Sequence, residues 1–252
     1  MLRTRVIPCL LLKDDGLVKT VKYDNPKYIG DPINAIKIFN DKEVDELMLL
    51  DIMASDEGRG PSFSTIKDVA SECFMPLAYG GGIRGLDDVR RILAMGVEKI
   101  VLNTAALNNP ELVTLIAREF GSQALVVSID VKKKFWGGYE VVGERGRKKT
   151  GRDPVEFAVQ MVAAGAGELL LSAVDCDGVQ GGYDLQLIHN VSKAVDVPVI
   201  AIGGAGEIRH FTEACENGAA AVAAGSLFVL TGKHRAVLIT YPTRAQLEGA
   251  LR

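Results

Sequence analysis

Residues 76–105 read PLAYGGGIRGLDDVRRILAMGVEKIVLNTA, and residues 198–227 read PVIAIGGAGEIRHFTEACENGAAAVAAGSL. The two stretches align without a gap, so that Pro76 meets Pro198 at an offset of 122 residues, close to half the chain. Each copy reads as an apolar strand, a glycine-rich turn, an amphipathic helix and a second apolar strand. A repeat of this size, built from β/α units, predicts an α/β fold: a single (β/α)8 TIM barrel made of two homologous half-barrels.

The bulk composition fits one domain of this kind. The chain has 252 residues, of which 48% are hydrophobic and 24% charged, so it can bury a large core. We therefore expect one domain over residues 1–252, with half-barrels of about 1–122 and 123–252. A net charge of −3 argues against nucleic acid or a membrane surface as a partner. The four cysteines are scattered without metal-type pairing, which predicts a cytoplasmic protein. We also expect no metal site and no cofactor.

Eight apolar runs predict the barrel strands, and amphipathic stretches between most of them predict helices. The predicted strands are Val6–Leu12, Glu46–Asp51, Pro76–Tyr79, Lys99–Leu102, Ala124–Asp130, Glu168–Ser172, Pro198–Ile202 and Ala220–Ala224. The predicted helices are Pro32–Asn40, Ser64–Cys73, Leu86–Met95, Pro110–Phe120, Pro154–Ala164, Leu185–Ala194 and Ile208–Asn217. Long loops at 13–30 and 131–152 are expected at the C-terminal mouth, where barrel active sites lie, the second with a small hairpin around FWGGYEVV.

The glycine-rich turns predict two related phosphate sites that face each other across this mouth. Glycines let backbone N–H groups approach a phosphate, and polar side chains one strand later add donors. The first half offers glycines 80–82 and then Asn103 and Thr104; the second offers glycines 203, 204 and 206 and then Gly225 and Ser226, with Asp177 and Gly178 nearby. The alternative is that the glycines only make tight turns. Two sites imply a long ligand with a phosphate at each end.

Carboxylates at strand ends are the candidate acid and base. Asp130 ends strand 5 and is the main candidate, for which the alternative is a structural carboxylate bonded to loop amides; Asp51 and Asp177 are further candidates. Strand 1 reads CLLLK where strand 5 reads SIDVK, which places Leu11 opposite Asp130. A barrel with two equivalent half-sites is expected to use two carboxylates, and leucine cannot transfer a proton.

These residues resemble the cyclase subunit of imidazole glycerol phosphate synthase, the HisF-type barrel that uses ammonia in the histidine pathway. The resemblance covers residues 5 to about 228 and rests on CLxxK, GDP, LLDI, GGGI, NTAA, FGSQ, SxxDxDG and GGAG. It implies catalysis by one aspartate on strand 1 and one on strand 5, of which Asp130 is kept and the other is Leu11. It implies phosphate binding by Gly82, Asn103, Thr104, Asp177, Gly178, Gly204, Gly225 and Ser226.

The same resemblance implies an ammonia entrance at the opposite end of the barrel. There a HisH-like glutaminase subunit would dock against a ring of charges whose members match Arg5, Glu46, Lys99 and Glu168. The alternative is a purely structural ring of salt bridges, because conservation at this end of a barrel often reflects stability.

In three features that depart from the family pattern, the chain resembles a divergent group of paralogues encoded with lipopolysaccharide and O-antigen genes. They are Leu11, the FWGG segment, and the tail GKHRAVLITYPTR from Gly232 onward, where the family usually ends in an amphipathic helix. Such paralogues accompany a glutaminase and a separate sugar amidotransferase, which implies ammonia supply for acetamidino-sugar formation. One alternative is the histidine-pathway lyase, which forms imidazole glycerol phosphate and aminoimidazole carboxamide ribotide from a phosphoribulosyl-formimino intermediate and ammonia. Another is the related ribosyl-to-ribulosyl isomerase, which needs the strand-1 carboxylate.

Several single residues carry weaker expectations. Lys19 matches a loop lysine that the family uses near its substrate, although loop lysines are usually solvated. Trp136 could stack on a ligand or cover the mouth, and Cys9 should pack in the core. The histidines at 189, 210 and 234 show no metal spacing, so we expect surface or capping roles for them.

Overall fold

The barrel strands form one closed parallel sheet. The computed structural model describes residues 4–232 and 234–251. Its barrel strands are β1 (Arg5–Lys13), β2 (Leu47–Asp51), β3 (Leu77–Gly80), β4 (Lys99–Leu102), β5 (Leu125–Lys133), β6 (Glu168–Ala173), β7 (Val199–Ile202) and β8 (Ala221–Ala224). They pair in chain order, and the circle closes where β8 pairs with β1, with Arg5 opposite Ala221. The predicted (β/α)8 barrel is confirmed.

Helices cover the outside of this sheet. They are α1 (Pro32–Asp41), α2 (Phe63–Glu72), α3 (Leu86–Ala94), α4 (Thr104–Asn108), α5 (Pro110–Phe120), α6 (Pro154–Ala163), α7 (Leu185–Ser192), α8 (Arg209–Glu216), α9 (Ser226–Val229) and α10 (Arg244–Ala250), with 3₁₀ turns at Ser122–Ala124 and Val174–Cys176. Each predicted helix is present, with ends that differ by one or two residues. In the described part of the chain, no helix is long and apolar enough to cross a membrane.

The repeat seen in the sequence returns in the element boundaries. The bounds of β3 and β7 differ by the same 122 positions as those of β4 and β8, and α4 and α9 begin at equivalent residues. Helices α1 and α6 both begin with a proline after an aspartate cap: Asp31 accepts from the amide of Asn34, and Asp153 accepts from the amides of Val155 and Glu156. These caps satisfy amides that the first turn of a helix leaves unpaired. The division into two half-barrels near residue 122 stays a prediction.

Two layers of apolar side chains lie on the two faces of the sheet. The larger one fills the space between strands and helices, and it includes Leu10, Leu12 and Phe39. The smaller one fills the barrel lumen, with Leu11, Leu50 and Ile202 packed against it; its buried members are Ile7, Cys9, Met48, Ala78, Val101, Val126, Leu170, Ile200, Ala221 and Ala223. This inner layer gives the barrel an apolar axis from its N-terminal end to its mouth.

The long segment after β1 is a β-hairpin and not an open loop. Its strands are Gly16–Val21 and Asp24–Gly30; the first continues antiparallel to β1, with Leu11 opposite Val18. We call this segment the strand-1 hairpin. Sequence patterning missed it because its turn residues, Lys22 and Tyr23, are not the Asn-Gly or Asp-Gly pair that signals a two-residue hairpin turn.

The predicted small hairpin after β5 is present. Tyr139–Gly143 runs antiparallel to the end of β5, with Val131 opposite Val141, and then pairs with Lys148–Lys149. We call it the strand-5 hairpin. At its tip, Phe135 and Trp136 have 91% and 94% of their surface exposed.

The C-terminal tail contains a helix that the sequence analysis did not predict. A short strand pair, Leu230–Thr231 with Ala236–Val237, comes first, and α10 follows after a capping box between Thr243 and Gln246. Leu247 of α10 is buried, and the Thr212 hydroxyl on α8 donates to the carbonyl of Ala250. Residue 233 of the quoted tail lies outside the described residues.

Candidate functional site

The C-terminal mouth brings the predicted site residues together. Asp130 and Leu11 line one cavity with all the predicted phosphate residues: Gly82, Asn103, Thr104, Asp177, Gly178, Gly204, Gly225 and Ser226. Because the strands are parallel, their C-terminal ends meet at this one face, so residues far apart in the chain become neighbours.

The glycine turns are explained in part by backbone packing. Gly82 has a φ of 72°, and a Cβ there would lie 2.7 Å from the backbone of Gly60. Gly204 has a φ of 116°, and a Cβ there would lie 2.0 Å from the carbonyl oxygen of Gly182. Any side chain at these two positions would therefore push neighbouring loops apart, with or without a ligand. Tight turns are therefore sufficient to explain glycine at these two positions, and phosphate binding stays a prediction.

Asn103 and Gly225 occupy equivalent positions after β4 and β8, each directly before a short helix. Asn103 precedes α4, and its Nδ2 donates to the carbonyl of Ser128 at 3.0 Å, which ties the loop after β4 to β5. Gly225 precedes α9, and a Cβ there would lie 2.0 Å from Nζ of Lys19. The second turn thus faces an ammonium group from the strand-1 hairpin.

In this structure Asp177 anchors the strand-1 hairpin. Its Oδ2 accepts from the Thr20 hydroxyl at 2.7 Å and from the Tyr23 amide at 3.2 Å, and its backbone carbonyl accepts from the Lys22 amide at 2.9 Å. A Cβ on Gly178 would lie 2.3 Å from the carbonyl oxygen of Thr20. Both residues therefore line the mouth while holding the hairpin across it.

Asp130 is a buried carboxyl with an unusual proton affinity. Its side chain is on β5, the residue is 7% exposed, and Oδ1 accepts from the Tyr23 hydroxyl at 2.9 Å. Burial raises the pKa of Asp130 to about 6, with a smaller upward contribution from the charge of Asp177 and an opposing one from the Tyr23 hydrogen bond. A group with a pKa near neutrality can both take and return a proton.

The raised pKa makes a prediction for stability. Because the pKa of Asp130 is about 6 in the fold and about 4 in an unfolded chain, its ionised form opposes folding at pH 8, and the penalty disappears as pH falls through 6 towards 4. We expect Asp130→Asn to raise the free energy of unfolding by about 3 kcal/mol at pH 8 and by nearly nothing at pH 4. Urea unfolding at both pH values checks this, and an equal effect at both would contradict it.

Leu11 and Lys19 both line the cavity at the mouth. Leu11 lies opposite Leu50 of β2 and extends the apolar inner layer up to the mouth. Lys19 is buried, contrary to the expectation of a solvated lysine, because its Nζ donates to the carbonyl of Cys9 at 2.6 Å. Burial lowers the pKa of Lys19. Cys9 is buried, as predicted.

Asp51 has a structural role in this arrangement. Its carboxylate accepts two hydrogen bonds from the Arg59 guanidinium, at 2.6 and 3.0 Å, and one from each amide of Met53 and Ala54 at 3.1 Å. A buried carboxylate needs such partners, and they fix the loop after β2.

The N-terminal end of the barrel is closed by four charged side chains, which we call the entrance ring: Arg5, Glu46, Lys99 and Glu168. Arg5 donates to Glu46 at 2.6 Å and to Glu168 at 3.0 Å. Lys99 bridges the same two carboxylates at 3.0 and 3.2 Å. Positive and negative groups thus alternate around the axis, and the side chain of Glu46 is only 3% exposed. The structure brings together all four residues singled out for this end.

Trp136 does not line the cavity: it is 94% exposed and lies edge-on to Phe135, with ring centroids 5.1 Å apart. Its stacking on a ligand stays a prediction. His210 is buried and not at the surface, because its Nδ1 accepts from the amide of Gly206 at 3.1 Å and so fixes the loop after β7. Sequence reasoning also missed Tyr23, for which neither spacing nor composition gave a signal.

Comparison with known proteins agrees with this geometry. The model of a family described as "Histidine biosynthesis protein" matches residues 5–235. The chain is 55% identical to the "Putative imidazole glycerol phosphate synthase subunit hisF2" of Pseudomonas aeruginosa, over 98% of this chain and 99% of the relative. It is 48% identical to the imidazole glycerol phosphate synthase subunit HisF of Caulobacter vibrioides, over 90% of this chain and 88% of the relative. The chain therefore belongs to the histidine biosynthesis protein family, as a HisF-type barrel.

Proposed function

We propose that this barrel accepts ammonia from a HisH-like glutaminase subunit and supplies it for acetamidino-sugar formation in surface polysaccharide synthesis. The observation that carries the proposal is Leu11. This apolar side chain occupies the position where acid–base chemistry with two carboxylates would place the second carboxylate. Ammonia delivery needs an entrance, a lumen and an acceptor at the mouth, and it does not need that second carboxylate.

The entrance ring suits a neutral guest. Its two cations and two carboxylates are mutually paired, so the ring carries no net charge that would attract ions into the lumen. Because each ring member also has a second partner, one salt bridge can open while the other charges remain compensated. A glutaminase docked on this face would release ammonia directly above the ring.

The lumen suits ammonia and disfavours ammonium. The layer that follows the ring is built from aliphatic and sulfur side chains such as Ile7, Met48 and Leu170. Desolvating a cation there is costly unless it is paired, whereas neutral ammonia loses much less. At the mouth the attacking nitrogen must lose a proton, and Asp130 is the group placed to accept it.

A phosphorylated ligand at the mouth is part of the proposal. The first phosphate would be held by Gly82, Asn103 and Thr104, and the second by Gly204, Gly225 and Ser226 with Asp177 and Gly178. The acceptor would be held there in concert with a separate sugar amidotransferase, since Leu11 stands where the resemblance places the second catalytic carboxylate that ring closure needs.

The histidine-pathway lyase is the second candidate function. The specific observation in its favour is that all the predicted phosphate residues share one cavity with Asp130, as a substrate with a phosphate at each end requires. Leu11 argues against full activity, because losing one of two cooperating catalytic groups commonly lowers the rate by orders of magnitude.

The entrance ring provides the test of the proposed function. We expect the barrel to form a complex with a HisH-like glutaminase, and Glu46→Lys to lose both the complex and glutamine-dependent ammonia transfer. Isothermal titration calorimetry and transfer of nitrogen-15 from labelled glutamine measure the two effects. Circular dichroism must first show a native fold, and Glu168→Lys, at a more exposed ring position, serves if Glu46→Lys does not fold. A folded ring variant with unchanged binding and transfer would contradict the proposal.

A further inference from the structure

A hydroxyl group from the strand-1 hairpin reaches Asp130. The Tyr23 hydroxyl donates to Asp130 Oδ1 at 2.9 Å and lies 2.5 Å from the hydroxyl oxygen of Ser172 on β6. We propose that Tyr23 is a positioning residue for Asp130, and that its hydrogen bond holds the carboxylate ionised and oriented in a mouth where Leu11 supplies no charged or polar partner.

The backbone at Tyr23 is held in an unfavourable conformation. Lys22 and Tyr23 are the central residues of the hairpin turn, with φ of 54° and 66°. Glycine and asparagine adopt this left-handed region readily, whereas it is an outlier for a bulky aromatic residue. Such strain persists where the surroundings over-determine it, and it concentrates at functional sites.

The surroundings that fix the turn are present on both sides. Asp177 binds the hairpin through the Thr20 hydroxyl and through the amides of Lys22 and Tyr23. On the other side, the Arg145 guanidinium of the strand-5 hairpin donates to the carbonyl of Tyr23 at 3.2 Å. These contacts hold the hairpin tip over the mouth and direct the phenol onto Asp130.

The Tyr23 hydrogen bond lowers the pKa of Asp130. Burial is the main cause that raises the pKa of Asp130, and the ionisable groups that act on it are Asp177, which raises the pKa, and Tyr23, which lowers it. Asn103 and Ser128 lower it further. Burial also raises the pKa of Tyr23 well above 10, so the phenol remains a donor at neutral pH. The Tyr23 hydrogen bond is therefore the largest contribution that opposes the burial of Asp130.

The same coupling acts in the other direction. If the Tyr23 hydrogen bond favours ionised Asp130, then ionised Asp130 strengthens the attachment of the strand-1 hairpin through that bond by the same free energy. This inference rests on the proposed function only in giving Asp130 a proton to accept. The hydrogen bond and its effect are properties of the free barrel and can be measured there.

The experiment is a titration of the aspartate side-chain carboxyls by carbon-13 NMR, with the Asp130 signal assigned from its absence in Asp130→Asn. We expect Tyr23→Phe, which keeps the ring and removes the donor, to make Asp130 at least tenfold weaker as an acid, a rise of about one pKa unit. Ser172→Ala should give a smaller rise, because it weakens the hydroxyl chain that ends at Asp130. Tyr28→Phe is the matched control: the same change on the same hairpin, at a side chain that is 65% exposed.

The outcomes separate this inference from the proposed function. An unchanged or lowered pKa of Asp130 in Tyr23→Phe would overturn the positioning role, as would an equal shift in Tyr28→Phe. A raised pKa in Tyr23→Phe supports that role even where the glutaminase complex fails to form, a result that would overturn only the ammonia-delivery proposal.

Discussion

Leu11→Asp is expected to have a much higher ammonia-dependent cyclase activity than the natural chain. The change restores a titratable group to the inner face of β1, at the mouth that Asp130 already lines. A positioned acid or base contributes on the order of 10²–10⁴ in rate, so we expect a gain of about 10³. The assay mixes the purified barrel with excess ammonium salt and the phosphoribulosyl-formimino aminoimidazole carboxamide ribotide, and follows imidazole glycerol phosphate.

Leu11→Asn is the matched control, because it has the size of aspartate without its acid–base chemistry. It should stay inactive. A natural chain that turns the substrate over at the rate of ordinary cyclases would contradict the proposed function and identify a histidine enzyme with an unusual base. If both the natural chain and Leu11→Asp are inactive, the predicted gain is wrong, and the mouth has lost that substrate or the geometry to use it.

The second large effect is expected at the entrance ring. Glu46→Gln removes one of two carboxylates and leaves Arg5 and Lys99 sharing Glu168 alone. Breaking a buried charge network by removing one partner leaves the others uncompensated, which typically costs 3–5 kcal/mol. Since Arg5 and Lys99 keep some contact with solvent, we expect the free energy of unfolding to fall by about 3 kcal/mol.

Urea denaturation of Glu46→Gln and Glu72→Gln measures the difference. Glu72 pairs with Lys37 at 3.7 Å on the surface, where both side chains are well exposed, so its loss should cost less than about 1 kcal/mol. Similar losses in the two variants would mean that the ring contributes no more than an ordinary surface ion pair.

The eightfold barrel could be predicted because its signal is repeated and local. Each β/α unit carries its own apolar strand and capped helix, and the 122-residue offset aligns Asp31 with Asp153 and β3 with β7. Where the pattern in one unit is ambiguous, the equivalent unit in the other half shows which element to expect. The entrance ring was predicted from the family resemblance, and its four residues lie at or next to strand starts, where parallel strands that begin at one face bring such residues together.

The surroundings of Asp130 could not be predicted in the same way. Tyr23 reaches Asp130 across 107 positions of sequence, through a hairpin turn without the usual turn residues. For Lys19 the sequence left open a place near the substrate and a place in solvent, because the pattern gives no sign that the carbonyl of Cys9 faces it. Both contacts depend on how two loops lie across the mouth, and that arrangement follows from tertiary hydrogen bonds to Asp177 and not from local periodicity.

The position of Trp136 determines what the intrinsic fluorescence of this protein can report. It is the one tryptophan of the chain, and in the folded barrel it already has 94% of its surface in water. Unfolding changes its surroundings little, so its emission is a poor probe of the barrel core, and the denaturation experiments above require circular dichroism. Because of the same exposure, tryptophan fluorescence reports the binding of any molecule to the strand-5 hairpin beside the mouth, and no buried tryptophan contributes to the signal.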